Sequence, residues 1–166
     1  MASMTRHLGI LGASCICLLL TVTVSSAEQA SKITKEKILN LLKSIDEAAI
    51  KKDAKTIMAH MAPNAVIKME MPGPEGKQIF RWNTKEYETN LKQSYAEVSD
   101  YQYKRVNTKI EIAKDGRTAR VTDTVLETVS VGGQTIRSET KETALLEWQN
   151  GELLITTLDA VVVSMQ

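Results

Sequence analysis

The sequence predicts an α+β fold in which helices and a hairpin precede one curved antiparallel sheet. Residues 101–163 divide into four stretches rich in Val, Ile, Thr and Leu, separated by Gly-containing dipeptides at 115–116, 132–133 and 150–151. Such dipeptides are typical of two-residue turns between half-buried strands. Upstream, residues 34–52 carry apolar side chains at helical spacing.

Residues 1–27 are predicted to be a secretory signal peptide, and residues 28–166 a single domain. Arg6 precedes an apolar run, and the small residues at 25–27 form a cleavage site. Both cysteines, Cys15 and Cys17, lie in the signal. The mature chain therefore forms no disulfide, which suits a bacterial periplasm, or more generally a secreted location.

The mature chain has no net charge, because removing Arg6 from 21 basic residues leaves 20 against 20 acidic ones. This balance predicts neither a nucleic-acid partner nor a membrane partner after signal cleavage. The sequence has no Cys/His metal spacing, phosphate loop or nucleophile elbow. We therefore predict neither a metal nor a cofactor.

Three helices and a hairpin are predicted upstream of the four strands. The first helix buries a stripe made of Ile38, Leu41, Leu42, Ile45 and Ala49. Asp53 caps a short second helix. Residues 65–71 and 77–82 form a hairpin, since Pro-Gly-Pro between them stops regular structure.

A third helix follows the hairpin. It is capped by Asn83 or Thr84 and places Tyr87, Leu91, Tyr95 and Val98 on one face.

If each dipeptide is the loop itself, the register of the four strands follows, because paired residues are equidistant from the turn. Paired residues share a face of the sheet. The pairs merge into apolar rows, among them Ile112, Ala119, Leu146 and Ile155; Ile110, Val121, Ala144 and Thr157; and Val106, Val125, Thr140 and Val161.

One polar row lies between the apolar ones and consists of Thr108, Asp123, Glu142 and Asp159. Three carboxylates about 5 Å apart would repel, so at least one is expected to keep its proton near neutral pH. Such a row suits three roles: a general base, for which Asp123, Glu142 and Asp159 are the candidates; a site for a cationic ligand; or a hard-metal site.

A structural alternative is that a cation neutralises the row or that a β-bulge turns one acid outward. The cations considered are Lys51, Lys52, Lys68 and Arg81.

Ligand contacts are predicted from the acidic row and its surroundings: Thr108, Asp123, Glu142, Asp159, Thr157, Met69 and Trp82. Methionines and aromatics can line an adaptable apolar pocket or simply form core.

The outer face of the sheet carries an apolar patch that predicts a homodimer, through Leu126, Leu145, Leu154 and Leu158. A packed C-terminal tail is the alternative.

The element order resembles that of the nuclear transport factor 2-like superfamily. The resemblance covers nearly all of the mature chain and is carried by residues 52–67, by Trp82-Asn83-Thr84 and by residues 148–155. It implies a long N-terminal helix and two shorter helices packed in the concave face of a strongly curved, mainly antiparallel sheet, a cystatin-like α+β cone with an open-ended pocket. Many such proteins dimerise through the outer face.

The superfamily includes steroid isomerases, polyketide cyclases, dehydratases and binding modules. Isomerase-type members pair a pocket carboxylate with a tyrosine and a protonated acid. Dehydratase-type members use histidine, of which the mature chain has only His60. We expect an exported domain that binds a small, partly apolar ligand without catalysis. An isomerase- or cyclase-like enzyme and a protein-interaction module acting through the outer face are the alternatives.

Overall fold

The computed structural model describes residues 32–166 and contains three helices and six strands. The helices are α1 (Lys35–Ile50), α2 (Ala54–Ala59) and α3 (Thr84–Glu97). The strands are β1 (Met61–Gly73), β2 (Gly76–Asn83), β3 (Asp100–Ile112), β4 (Thr118–Val131), β5 (Gln134–Gln149) and β6 (Glu152–Met165). The predicted element order is confirmed; the predicted signal peptide lies outside the described residues.

The six strands form one curled sheet in the order β2-β1-β6-β5-β4-β3. Four of its five strand pairs are antiparallel, and β1 runs parallel to β6. The helices pack on this sheet, which confirms the α+β cone.

Helix α1 supplies most of the helical part of the core. Thr34 caps it by accepting the Lys37 N–H, and the predicted stripe is buried, with Ile38 fully inaccessible. This stripe meets Ile67, Val121 and Leu146 of the sheet in the main apolar cluster. The exposed area of Ile38, Ile67, Val121 and Leu146 does not exceed 1%, so α1 closes the concave face over β1, β4 and β5.

The shorter helices are capped as expected. The Asp53 carboxylate accepts the Thr56 N–H at 3.1 Å at the start of α2. Asn83 and Glu86 form a reciprocal capping box on α3. Helix α3 has no fully buried residue; Tyr87, Leu91 and Tyr95 are half-buried.

Two of the three predicted turns have the expected backbone. Both central residues have positive φ at Gly132 and Gly133 (57° and 82°) and at Asn150 and Gly151 (51° and 88°). The third connection is a longer loop, since Ala113 N donates to Thr118 O at 3.0 Å and only Gly116 has positive φ. Its register is still that of the prediction, because Ile112 pairs with Ala119.

The predicted register holds across β4 and β5 but fails in β6. Asp123 pairs with Glu142 as expected. A register shift in β6 leaves Ile155 opposite Leu146 but places Leu158, instead of Thr157, opposite Ala144. Because side chains alternate in a strand, one extra residue reverses the faces of those that follow.

Thr157 and Asp159 are therefore on the outer face, opposite Leu145 and Thr143. The same shift places Val162, instead of Val161, opposite Thr140, and a further shift follows between Thr140 and Glu139.

Strand β3 also contains an irregularity. The register shifts between Val106 and Lys109, and Asn107 adopts a φ of 57°. As a result Arg105, predicted to be outside, lies opposite Val125 on the concave face. Val106 moves to the outer face opposite Thr124, and Thr108 is exposed at the bulge.

The outer face is less apolar than predicted. Leu158 pairs with Ala144 on the concave face, and Leu154 is 9% exposed and belongs to the main core cluster. Leu126, which is 38% exposed, and half-buried Leu145 are outside as expected. No helix within residues 32–166 has the length and apolarity needed to cross a membrane.

Candidate functional site

The candidate site is a cluster of charged side chains on the concave face, centred on Arg105. Asp123 comes from β4 and Glu142 from β5, where the two are directly paired. Asp46 approaches from α1, and the β3 bulge turns Arg105 towards all three acids. The predicted row of three acids is therefore replaced by a different trio, in which Asp46 takes the place of Asp159.

The guanidinium of Arg105 contacts every member of the trio. Nε donates to Asp46 Oδ1 at 2.9 Å, Nη1 lies 3.3 Å from Glu142 Oε2, and Nη1 also donates to Asp123 Oδ2. The remaining nitrogen, Nη2, donates to the Tyr103 hydroxyl at 2.6 Å. Three carboxylates thus share one guanidinium, and the cluster keeps an excess of negative charge when all three are ionised.

Burial and repulsion determine how these acids titrate. Burial raises the pKa of Glu142 to about 7, with repulsion from Asp123 and Glu127 adding to it and Arg105 opposing it. Burial also raises the pKa of Asp123, against the attraction of Arg105. The Glu142 side chain is still 20% exposed, whereas that of Asp123 is 2% exposed. Of the two acids paired in the sheet, Glu142 is therefore the one that solvent or a ligand reaches, and Asp46 on α1 is 30% exposed.

Asp123 has one carboxylate oxygen without a partner. Its Oδ2 is held by Arg105, but Oδ1 is buried and is hydrogen-bonded to no group of the chain in the described region. A buried acceptor left in this way costs about 1–3 kcal/mol. The site therefore retains an unused acceptor on the residue paired with Glu142.

All four tyrosines of the protein surround this cluster: Tyr87, Tyr95, Tyr101 and Tyr103. The ring of Tyr101 lies edge-on to that of Tyr95 and tilted against that of Tyr103, with centroid distances of 5.5 Å and 6.5 Å, and its hydroxyl donates to Glu127. Burial, followed by the nearby Glu142 carboxylate, raises the pKa of Tyr87. The Tyr87 hydroxyl thus remains protonated at neutral pH.

The sequence-predicted ligand residues divide into two groups. Asp123, Glu142, Met69 and Trp82 share the concave face, since Met69 and Glu142 both pair with Ala160 and Trp82 pairs with the core residue Ile67. The other three are not where the predicted register put them: Thr157 and Asp159 lie on the outer face, and Thr108 is exposed at the β3 bulge.

Trp82 stacks on Phe80 at 5.6 Å and leans against Tyr87 at 6.1 Å. These rings form an aromatic wall beside α3.

The structural alternative, a bulge or a cation at the acidic row, describes what the structure contains, but the cation is not one of the four considered. A bulge turns Asp159 outward, and a cation does meet the remaining acids. That cation is Arg105. Lys68 pairs with Arg81 and Asp159 in an outer row, and Lys52 donates to Val98 O at 2.8 Å.

Two signals in the sequence could have identified the missed residues. An asparagine inside a strand marks a position that tolerates positive φ, so Asn107 could have indicated the bulge. Asp46 follows Leu42 by four residues and so borders the buried stripe of α1.

His60 lies apart from the acidic cluster. Its Nε2 is 2.8 Å from Ser44 Oγ, and its backbone carbonyl accepts the Ile155 N–H. Burial lowers the pKa of His60, against a smaller opposing effect of Glu152. The contacts of His60 therefore join α1, α2 and β6.

Two open surface cavities lie outside the charged cluster. One of about 390 Å³ lies at the β3–β4–β5 end and is lined by residues such as Ile112, Arg120 and Glu147. The other, of about 520 Å³, lies between β2 and α3 and includes Arg81, Trp82 and Lys85. Trp82 lines the second cavity and also belongs to the aromatic wall. Within residues 32–166, no group of three His, Cys, Asp or Glu side chains is arranged to hold a metal ion.

No protein-family model matches this sequence, and no curated protein matches it. Solved structures do match. The chain superposes with a TM-score of 0.65 on a protein of Novosphingobium aromaticivorans assigned provisionally as a scytalone dehydratase, at 9% identity over 79% of this chain and 85% of the other. It superposes on an NTF2-like protein of Cytophaga hutchinsonii with a TM-score of 0.62, at 11% identity over 78% and 98%.

A third match is a hexachlorocyclohexane dehydrochlorinase, LinA type 2, with a TM-score of 0.62 at 12% identity over 79% of this chain and 86% of the other. At these identities the likeness shows the fold alone. The predicted nuclear transport factor 2-like fold is therefore confirmed.

Proposed function

We propose that this nuclear transport factor 2-like chain is an exported domain that binds a small, partly apolar molecule on the concave face of its sheet, without catalysing a reaction. The observation that carries the proposal is Glu142, a partly exposed acid of the sheet that is paired with the buried Asp123 in the charged cluster. Met69 and Trp82 share the concave face with it, Tyr87 lies near it, and these side chains supply apolar surface. Ligand-binding sites of this kind combine apolar walls with a few polar groups.

The arrangement favours binding over catalysis because Arg105 already forms an ion pair with each of the two acids of the sheet. The guanidinium reaches both Asp123 and Glu142, so neither acid is free of a counter-ion. A general base needs an unoccupied lone pair aimed at the substrate. Holding a ligand requires only that Glu142 stays accessible.

Neutral probes test the proposal without assuming a ligand class. Saturation-transfer NMR with phenol, cyclohexanol and 3,3-dimethylbutan-1-ol is expected to give binding, with shifts of the Tyr87 and Tyr103 ring signals. Trp82→Ala is expected to weaken that binding. Its matched control is Trp148→Ala, since Trp148 lies at the far end of β5, where Lys37 covers its ring at 4.3 Å. Probes that leave the tyrosine signals unchanged at millimolar concentration would contradict binding on the concave face.

A second candidate is an isomerase- or cyclase-like enzyme that uses Glu142 as its base. It is favoured by the pKa of Glu142, raised to about 7 by burial, because a base works best near the operating pH. The dehydrochlorinase among the structural matches is an enzyme of this fold. Isomerisation of 3-cyclohexenone, followed by absorbance, tests it: a rate equal to that of the Glu142→Gln variant would exclude the catalytic reading for this type of substrate.

Export and self-association complete the proposal. Residues 1–27 carry the predicted signal, and periplasmic fractionation of chains with and without them tests export.

The outer face still presents Val66, Leu126, Leu145 and Val161, three of them at least 36% exposed. This apolar area supports a homodimer through the outer face.

A further inference from the structure

The concave face has more negative than positive charge. Asp46, Asp123 and Glu142 contribute three carboxylates and Arg105 one guanidinium, so the fully ionised cluster carries two excess negative charges (3 − 1). Glu127 adds a fourth acid at the edge, where the Tyr101 hydroxyl bonds it. Buried charge without a counter-ion is costly, so a positive charge placed beside these acids would stabilise the cluster.

The unpartnered oxygen of Asp123 is a second, independent sign that the acids lack positive or hydrogen-bonding partners. The side chain is 2% exposed, it shares the concave face with Glu142, and Oδ1 has no donor among the described residues. A buried carboxylate normally has donors on both oxygens. Positive charge placed beside Glu142 would offset this uncompensated acceptor as well.

The surroundings suit an organic cation. Arg105 already lies over a tyrosine, 5.8 Å from the Tyr103 ring centroid, and such cation–π contacts gain strength when desolvated. Tyr87 lies near Glu142 on the α3 side, and its ring approaches Trp82 at 6.1 Å. Aromatic faces next to a carboxylate are the features that recognise alkylammonium groups.

A metal ion fits the same place less well. Calcium takes six to eight oxygen ligands, and the centre of this cluster is occupied by the Arg105 guanidinium. Asp46, Asp123 and Glu142 surround that guanidinium and do not form a metal-holding group in the described part of the chain. A carboxylate at the edge of the cluster with aromatic neighbours can hold an ammonium through one ion pair and apolar contacts.

We propose that the ligand of the concave face is an organic ammonium, with its charge beside Glu142 and its apolar part against Tyr87 and Trp82. This inference rests on the proposed binding function and names its ligand class. A proton and the ligand then compete for Glu142, so affinity increases as pH rises towards 7 and levels off above it. Glu142 is faced by Asp46 from α1, Tyr87 from α3, Tyr103 and Arg105 from β3, Asp123 and Glu127 from β4, and Ala160 from β6.

A pair of isosteres tests the ligand class. The cation is (2-hydroxyethyl)trimethylammonium, and 3,3-dimethylbutan-1-ol has the same shape without the charge. We expect the cation to bind at least tenfold more tightly at pH 8, measured by shifts of the tyrosine ring signals. We expect this preference to shrink at pH 5, by up to about tenfold per pH unit below 7.

Two variants locate the charge. Glu142→Gln is expected to abolish the preference for the cation. Glu139→Gln is the matched control on the same strand and is expected to retain it, because Glu139 pairs with Leu126 on the outer face. Urea unfolding of both variants verifies that they are folded.

Equal affinity for the two isosteres at pH 8, or equal cation affinity in Glu142→Gln, would overturn the ammonium class. The binding function would still stand if the neutral probes bound. Absence of binding by the cation at pH 8 also overturns the class, while the panel of neutral probes separately decides whether the concave face binds any small molecule.

Discussion

Replacing Glu142 with glutamine isolates the energetic effect of one buried acid. Burial raises the pKa of Glu142 from 4.5 to about 7, so between these values the folded state binds more protons than the unfolded state. Stability therefore falls as pH rises through this window. For these two pKa values, the contribution of Glu142 changes by about 2.5 kcal/mol between pH 5 and pH 8, in the destabilising direction.

The glutamine variant removes this term and keeps a side chain of similar shape. Urea unfolding at pH 5, 6, 7 and 8, followed by tryptophan fluorescence, is expected to show that the variant gains stability relative to wild type by about 2.5 kcal/mol across this range. The lowered pKa of His60 makes stability rise with pH, but His60 titrates in both proteins, so its effect cancels when the variant is compared with wild type. Glu139→Gln is expected to follow wild type. A constant difference between Glu142→Gln and wild type at all four pH values would refute the assigned burial.

Three further predictions concern the charged cluster and the outer face. Arg105→Met is expected to cost about 3–5 kcal/mol in urea unfolding at pH 7, because it leaves buried carboxylates uncompensated, while Arg120→Met on the outer face changes stability little. Asn107→Val is expected to cost about 1–3 kcal/mol, since a β-branched residue is strained at a φ of 57°, and Asn107→Gly is expected to be close to neutral; a valine variant as stable as wild type would contradict the bulge. Replacing Leu126 and Leu145 with glutamate is expected to halve the mass in sedimentation equilibrium, and an unchanged mass would remove the proposed dimer.

The sequence was sufficient for the fold because its local signals agree with one another. The α1 stripe, the Asp53 cap and the turns at 132–133 and 150–151 each act within a few residues, and all are present as predicted. The pairing of Asp123 with Glu142 follows from one such turn. Features of this kind depend on propensity and periodicity, which are read directly from residue order.

The candidate site was predicted only in part because the sequence marks a β-bulge less clearly than it marks a helix or a turn. Each bulge adds one residue to a strand, so the side chains beyond it lie on the opposite face of the sheet. Asp159 was lost and Arg105 gained in this way. Asp46 was missed because its place in the site depends on how α1 lies across the sheet, which the helical pattern alone does not determine.

The β3 bulge has a consequence for how this protein tolerates insertions and deletions. If β3 kept its length but continued the pairing of Lys109 to Ile112 without the bulge, Arg105 would lie opposite Leu126 on the solvent side and Lys104 would turn inward. Loss of one residue between Val106 and Lys109 would instead remove the bulge and leave Arg105 opposite Val125, so its contacts with Asp46 and Asp123 would be kept. The stretch between Val106 and Lys109 is therefore the place where β3 can shorten without moving its arginine out of the interior.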